Sequence, residues 1–231
     1  MRSKKAKVLH EILGRPMILY VVETAKEIAG NDVIVVIGNQ AEKVRKIVSK
    51  EGQLKFAYQH RQLGTGHAVL CALPYLPDHC QDVVILNGDV PLVTANTIFR
   101  LIQNHLKNRR DITVLAVVLN NPTGYGRIIT DKTGQVCGII EEADATDAQK
   151  KIDTINTGIY CVKSSVLSDS LQNITTNNTQ GELYLTDIVA EGYKENKKIG
   201  LFIGADTSEF YGINDRQDLH RVETLMRDRV I

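Results

Sequence analysis

The decapeptide Val83–Leu92 reads Val-Val-Ile-Leu-Asn-Gly-Asp-Val-Pro-Leu and carries the clearest signal in this chain of 231 residues. Its four leading apolar residues predict a fully buried parallel strand. Asn87, Gly88 and Asp89 follow at the carboxyl end, where open α/β sheets bind ligands. Gly88 leaves room for a ligand or metal ion near the backbone, and Pro91 is expected to end the strand. A turn in which Asp89 is simply a good turn former explains the same residues, and the decapeptide alone favours neither interpretation.

Helical and strand-like patterns alternate on both sides of this decapeptide. Pro16 begins an amphipathic stretch that Gly30 ends, as is typical of a helix. Runs such as 32–37 and 111–119 are rich in β-branched residues and predict buried strands, and after Asn120 short strands predominate. The sequence therefore predicts a single α/β domain over residues 1–231. It should have three layers, a doubly wound and mostly parallel sheet, and a small β-rich lobe at the carboxyl edge of that sheet.

The predicted elements cover most of the chain. The predicted helices are 16–28, 41–49, 65–73, 94–106, 164–171, 185–195 and 215–229. The predicted strands are 32–37, 54–58, 83–86, 111–119, 125–130, 135–140, 155–162 and 198–203.

Composition excludes several classes of protein. Lysine and arginine total 28 and aspartate and glutamate 27, a net charge of +1 that argues against nucleic-acid binding but permits a small phosphate site. The four cysteines have no C-x-x-C spacing, so we expect free thiols in a reducing compartment. No apolar run is long enough to span a membrane, and the basic start lacks the apolar core of a signal peptide. We therefore expect a soluble cytoplasmic protein that does not bind membranes.

A glycine-rich loop, Gln59–His67, lies between a predicted strand and a predicted helix. Gly64 and Gly66 flank Thr65, an arrangement that exposes backbone N–H groups and lets a flat ring approach closely. Gln59 could read the edge of a base. The loop matches neither general phosphate-binding motif. A tight turn with Thr65 as a helix cap explains the loop equally well, and both interpretations stay open.

Three further positions combine glycine or acidic residues with predicted strand ends. Pro122–Arg127 contains two glycines around a tyrosine, which suggests close ligand packing or a plain loop. Asn156, Thr157 and Gly158 stand inside an otherwise β-branched strand, where a glycine indicates a bulge or a close approach. Glu141 follows an apolar strand and could bind hydroxyl groups or simply be solvated.

Two positions near the chain ends offer groups for charged ligands. Asn214 has a carbonyl oxygen suited to a hard cation such as Mg²⁺, whereas capping a helix is the favoured role of Asp215. Lys7 could serve as a point charge for phosphate, although solvation is the commoner fate of a single lysine.

Together these motifs resemble the uridylyltransferase domain of bacterial bifunctional N-acetylglucosamine-1-phosphate uridylyltransferases, a branch of the sugar-nucleotide pyrophosphorylases. The resemblance covers nearly the whole chain; each motif is weak alone, but seven in the family's order are specific. The motifs are Leu63-Gly-Thr-Gly-His-Ala, Asn87-Gly-Asp-Val-Pro-Leu, Pro122-Thr-Gly-Tyr-Gly-Arg, Glu141 with Asp144-Ala-Thr, Ile155-Asn-Thr-Gly, Gln180-Gly-Glu with Tyr184-Leu-Thr-Asp, and Gly212-Ile-Asn-Asp-Arg.

The resemblance implies a Mg²⁺-dependent transfer of UMP from UTP to N-acetylglucosamine 1-phosphate, giving UDP-N-acetylglucosamine and pyrophosphate. It implies that Asp89 and Asn214 hold the metal and that Lys7 contacts phosphate. The residues implied to bind uridine are Gln59, Gly64, Thr65, Asn87 and Gly88, and those implied to bind the sugar phosphate are Gly126, Glu141, Asn156 and Asn214. A related enzyme for another sugar or base, and a non-catalytic nucleotide-binding module, are the alternatives.

The chain differs from the family pattern at both ends. The family begins with a strand followed by Leu-Ala-Ala-Gly-x-Gly-Thr-Arg-Met, and Met1 matches the last residue of this motif. Beyond the position of Ile231 the family continues into a β-helix of hexapeptide repeats that carries an acetyltransferase. We therefore expect a monomer without acetyltransferase activity. We also expect poor activity from this chain, because loss of the family's first, central strand would leave unpaired backbone groups in the sheet and expose apolar neighbours.

Overall fold

A computed structural model describes residues 5–230 of the chain. The expected match of Met1 to the family's glycine loop, and Ile231, therefore lie outside the described residues. The strands are β1 (Glu11–Ile12), β2 (Arg15–Pro16), β3 (Ile34–Ile37), β4 (Lys55–Tyr58), β5 (Asp82–Ile85), β6 (Ile112–Val118), β7 (Arg127–Thr130), β8 (Val136–Ile140), β9 (Thr154–Lys163) and β10 (Ile199–Ile203). The helices are α1 (Met17–Ala29), α2 (Ala41–Val48), α3 (Thr65–Ala72), α4 (Ala95–Lys107), α5 (Ser164–Asn173), α6 (Asp187–Lys194) and α7 (Arg216–Val230).

Within residues 5–230 the central sheet has six strands and is mixed. Its main path runs β10-β6-β9-β7-β8, and β5 pairs with β9. Strand β10 is parallel to β6, whereas β9 is antiparallel to β5, β6 and β7. Strands β5, β6, β7 and β10 therefore point the same way, which confirms the predicted, mostly parallel α/β sheet. Strands β7 and β8 form a hairpin, and its first residue, Arg127, pairs with Ile155 of β9. This hairpin corresponds to the predicted β-rich lobe.

Alternating side chains of β6 build the three layers. Val114 packs in a cluster with Leu167 of α5 and Ile188 of α6, and all three are fully buried. Leu115, the next residue, points to the other face and packs in a cluster with Ile98 of α4. Because successive side chains in a strand point to opposite faces, a continuous apolar strand needs helices on both sides. The order helix, sheet, helix follows from this one strand.

Strand β5 differs from its prediction in three respects. Its one described ladder partner, β9, is antiparallel to it rather than parallel. Strand β5 ends at Ile85, well before Pro91, so the proline does not terminate it. Its residues are half-buried rather than fully buried. The partial burial arises because, within residues 5–230, β5 has a ladder partner on one side only, β9. Strand β3 likewise pairs only with β4. Each of these two strands therefore has one edge without a described ladder partner.

The cysteines agree with the expectation of free thiols. All four cysteines are free, and Cys161 is buried in the sheet. No helix in the described part of the chain is both long and apolar enough to cross a membrane.

Candidate functional site

Three polar side chains from distant parts of the chain meet beyond the end of β5, and we call Lys7, Asp89 and Asn214 the cation group. The Lys7 ammonium donates to Asp89 Oδ2 at 2.5 Å and to Asn214 Oδ1 at 2.6 Å. The backbone N–H of Ile213 donates to the Asp89 carbonyl at 3.0 Å, and the Ile213 side chain is fully buried. The two loops that carry the oxygens are therefore fixed to each other by the backbone as well as through Lys7.

The cation group offers a donor set that suits Mg²⁺. A carboxylate oxygen and an amide oxygen converge on one positively charged nitrogen, so the structure already directs two hard ligands at a single cation. Within residues 5–230 no group of three or more histidine, cysteine or acidic side chains could hold a metal unaided. Mg²⁺ commonly takes one or two carboxylates and completes its shell with substrate phosphates and water. Asp89 and Asn214 fit that mode of binding.

Asp215 caps helix α7, as the sequence indicated. Its Oδ1 accepts from the backbone N–H groups of Gln217 at 2.8 Å and Asp218 at 2.9 Å. Asp218 in turn accepts from the backbone N–H of Asn214 at 2.8 Å. This reciprocal cap occupies otherwise unpaired N–H groups at the start of the helix and fixes the backbone of the Asn214 loop.

Three candidate residues lie side by side across β7, β8 and β9, and we call them the three-strand row. They are Gly126, Glu141 and Asn156. Strand register produces the row, because Arg127 pairs with both Ile140 and Ile155, so that the residue before Arg127 lies opposite the residues that follow its partners. The Asn156 N–H donates to the Gly126 carbonyl at 2.8 Å. A side chain at Gly126 would begin 3.3 Å from the Glu141 carboxylate.

The Glu141 carboxyl lies in a partly desolvated, acidic neighbourhood. Burial raises its pKa, and the nearby carboxylates of Asp187 and Asp144 raise it further. The Thr186 hydroxyl donates to Glu141 Oε1 at 3.2 Å and partly offsets both effects on the pKa. A carboxyl held this way has a free oxygen that can accept hydrogen bonds from hydroxyl groups of a ligand.

A bulge in β9 connects the row to the loop after β5. The register of β9 against β6 shifts after Leu115, and the Thr157 hydroxyl donates to the Leu115 carbonyl at 2.7 Å. The Asn87 side-chain amide donates to the Thr157 carbonyl at 3.2 Å. Gly158 has a positive φ of 76°, and a Cβ there would overlap the Asn87 amide nitrogen. Of the roles that the sequence left open for this glycine, both the bulge and the close approach are observed.

We predict that Gly158→Ala destabilises the protein more than Gly134→Ala does. Gly134 has a similar φ of 83° but nothing lies within 4 Å of its Cβ position, so it isolates the backbone strain. That strain costs about 1–2 kcal/mol. Displacement of Asn87 should add about 1–3 kcal/mol at Gly158, as for an overpacked site. Urea melts of the two variants measure the difference, and equal losses would show that the Asn87 contact is not tight.

The glycine-rich loop packs against a later segment of this chain. Gln59 Nε2 donates to the Gly64 carbonyl at 2.9 Å. Helix α3 begins at Thr65 after Gly64, without a side-chain cap, so the interpretation of Thr65 as a cap is wrong. The Thr65 hydroxyl instead accepts from the Leu185 N–H at 3.0 Å. A Cβ on Gly64 would lie 2.5 Å from the Leu183 carbonyl oxygen, so contact with the chain itself requires this glycine.

The candidate residues thus form three connected groups. The segment 183–186 touches the glycine-rich loop through Leu185 and the three-strand row through Thr186. The Asn87–Thr157 hydrogen bond joins the row to the loop that carries Gly88 and Asp89. A Cβ on Gly88 would make only ordinary contacts, so packing alone does not demand glycine at this position.

Sequence reasoning missed three side chains that shape the site: Thr157, Tyr160 and Thr186. Thr157 and Thr186 are buried and use their hydroxyls to hold neighbours in place. Tyr160 lies four residues beyond Asn156 in an apolar strand. A tyrosine in such a run was the available signal, because a buried phenol normally needs a hydrogen-bond partner.

The sequence matches the family model described as nucleotidyl transferase over residues 2–208. The chain belongs to the nucleotidyl transferase family. It is similar to the "Bifunctional protein GlmU" of Thermoanaerobacter pseudethanolicus (45% identity over the whole chain and 50% of that protein). It is also similar to the proteins of that name from Geotalea uraniireducens (42%, 50% of its length) and Desulfotalea psychrophila (39%, 67% of its length). The chain spans about half the length of most of these relatives.

A solved structure shares the fold of this nucleotidyl transferase. HddC from Yersinia pseudotuberculosis superposes with a TM-score of 0.72 over 98% of this chain and 92% of its own, at 17% identity. That agreement confirms the three-layer α/β fold. The family match makes the chain a nucleotidyltransferase enzyme.

Proposed function

We propose that this nucleotidyltransferase moves UMP from UTP to N-acetylglucosamine 1-phosphate with Mg²⁺, releasing pyrophosphate. The observation that carries the proposal is the link between the cation group and the three-strand row through Asn87 and the β9 bulge. A phosphate-binding region beside a hydroxyl-binding row is what a sugar phosphate and a nucleotide require when they react with each other. The motif order described for the uridylyltransferase family supports the choice of uridine and of the N-acetyl sugar.

The reaction needs positioning and charge neutralisation more than covalent chemistry. An oxygen of the sugar phosphate attacks the α-phosphorus of UTP while the bond to pyrophosphate breaks, so no group of the enzyme has to be modified. When bound, Mg²⁺ neutralises phosphate charge. Lys7 carries three donors and exchanges its contacts with Asp89 and Asn214 for phosphate oxygens. Asp89 and Asn214 would then hold the metal.

The remaining residues orient the two substrates. Gln59, Gly64 and Thr65 face the uracil, and the Asn87–Gly88 backbone lines the nucleotide. Glu141 accepts from sugar hydroxyls, while Asn156 offers one N–H and one carbonyl lone pair. Because Gly126 has no side chain, the space beside the Glu141 carboxylate stays open for the sugar. A monomeric state stays a prediction.

We predict that Glu141→Ala weakens binding of the sugar phosphate selectively. Losing a hydrogen bond from a sugar hydroxyl to a charged acceptor should raise KM for N-acetylglucosamine 1-phosphate about 10-fold or more, with little change in KM for UTP. Pyrophosphate release measures both constants. Asp147→Ala, at an exposed position between β8 and β9, is the control and should change neither.

The same assay distinguishes the alternatives. An unchanged sugar KM in Glu141→Ala would remove this residue from the site. Equal kcat/KM with another sugar 1-phosphate or another nucleoside triphosphate would favour a related enzyme of different specificity. Calorimetric binding of UTP without any turnover, also after addition of an N-terminal strand and loop, would favour a binding module.

A further inference from the structure

Tyr160 is a buried polar side chain to which the proposed reaction assigns no role. It is 1% exposed and lies in β9, paired with Ile85 of β5 and Val114 of β6. Its ring belongs to the apolar cluster between the sheet and helices α5 and α6. Its hydroxyl accepts from Asn156 Nδ2 at 2.8 Å. The phenol therefore reaches from the core to the underside of the three-strand row.

The Asn156 amide has one preferred orientation because two neighbours hold its two ends. The Tyr160 hydroxyl accepts a hydrogen bond from the Asn156 amide nitrogen, and the Gly158 N–H donates to Asn156 Oδ1 at 3.0 Å. The nitrogen and oxygen of an amide have nearly the same shape but opposite hydrogen-bonding character, so a rotation would exchange donor and acceptor. One N–H and one lone pair of Asn156 remain for a ligand, each at a fixed side of the row.

The phenol stays protonated next to the row. Burial and the neighbouring Glu141 carboxylate both raise the pKa of Tyr160. A protonated hydroxyl that accepts from Asn156 still has its own proton to donate. The oxygen of the neutral phenol therefore accepts from the Asn156 amide, and the phenol also lies in the field of the Glu141 carboxylate.

We propose that Tyr160 is a positioning residue for the sugar phosphate, which acts by holding the Asn156 amide in its binding orientation. The inference rests on the proposed function of the three-strand row and adds a residue beneath it that touches no substrate. It assigns the buried phenol to substrate selectivity rather than to packing alone.

The test is a double-mutant cycle of Tyr160→Phe and Asn156→Ala. Tyr160→Phe keeps the ring and removes one hydrogen bond, so KM for N-acetylglucosamine 1-phosphate should rise about 5-fold while KM for UTP stays the same. In the Asn156→Ala background the same change should have no further effect on the sugar KM, because its target is gone. The matched control is Tyr193→Phe, which removes a 2.8 Å hydrogen bond to Asp131 at the distant β7–β8 turn and should leave both constants unchanged.

The outcomes separate this inference from the proposed function. Equal effects of Tyr160→Phe in both backgrounds, an equal rise in both KM values, or no change in the sugar KM would overturn it. If Asn156→Ala itself leaves the sugar KM unchanged, the proposed role of the three-strand row in binding the sugar phosphate is wrong. Thermal melts show whether Tyr160→Phe is less stable. In that case, calorimetry well below the melting temperature compares the affinities of the unsubstituted chain and of Tyr160→Phe for UDP-N-acetylglucosamine and for UTP. If the ratio of the two affinities is the same in both proteins, the inference is overturned.

Discussion

Replacing Asp89 by asparagine is expected to lower turnover about 10²–10³-fold relative to the unsubstituted chain. Asp89 is the only carboxylate among the three residues of the cation group, and in the proposed reaction this group helps to neutralise the charge on the phosphates. Asparagine keeps the size of the side chain and an oxygen that can accept from Lys7, so the loop should keep its shape. The substitution removes negative charge where Mg²⁺ would bind, and the loss should therefore appear in kcat and in the Mg²⁺ concentration required.

Asn214→Ala provides the companion measurement and should also lower turnover by orders of magnitude, because it removes the second oxygen of the pair. Asp78→Asn is the control, since Asp78 is exposed and precedes β5 on the far side of the strand. A chelator should abolish the activity of the unsubstituted chain, and added Mg²⁺ should restore it. Rates equal to those of the unsubstituted chain in either variant would exclude that residue from the site.

Adding a strand and glycine loop ahead of residue 1 is expected to raise turnover about 10²-fold, the scale of loss for a misplaced reacting group. The physical reason lies in the sheet. Strands β3 and β5 each have an edge without a ladder partner in the described part of the chain, and the side chains of β5 are only half-buried. We expect the added strand to pair with an open edge and so to fix the loop that follows β5.

The added segment would carry an apolar strand followed by Leu-Ala-Ala-Gly-x-Gly-Thr-Arg, the pattern of the family described above. A control segment of equal length, with proline and lysine in place of the apolar residues, cannot join a ladder and should bring no gain. Pyrophosphate release and urea melts would be measured on all three chains. If the chain as written already turns over as fast as the extended one, the open edges have no bearing on the site.

Local pattern was enough to predict the secondary structure and the fold class. The predicted helix at 16–28 is observed as Met17–Ala29, and the predicted strand at 111–119 as Ile112–Val118. These elements follow from periodicity and from glycine and proline signals, which depend on near neighbours in sequence. The short hairpin of β1 and β2 carries no such signal in its two-residue strands and was missed.

Direction and long-range contact could not be predicted in the same way. An apolar run looks alike whether its neighbours are parallel or antiparallel, so nothing in 155–162 indicated that β9 runs against β5 and β6. Thr65 fitted a cap, but a hydrogen bond from Leu185, 120 positions away, decides its role. The contact of Lys7 with both Asp89 and Asn214 likewise depends on the complete fold.

The cation group also sets the order in which a new chain can become competent during synthesis. Lys7 and Asn214 are 207 positions apart, so at translation rates of about 5–20 residues per second the second residue follows the first by roughly 10–40 s. Until then Lys7 and Asp89 can meet, but the amide oxygen that completes the pair is missing. A nucleotide bound there, as proposed, would stabilise only a chain in which Lys7 and Asn214 have come together, so the ligand would favour the finished fold over the partly folded states that precede it.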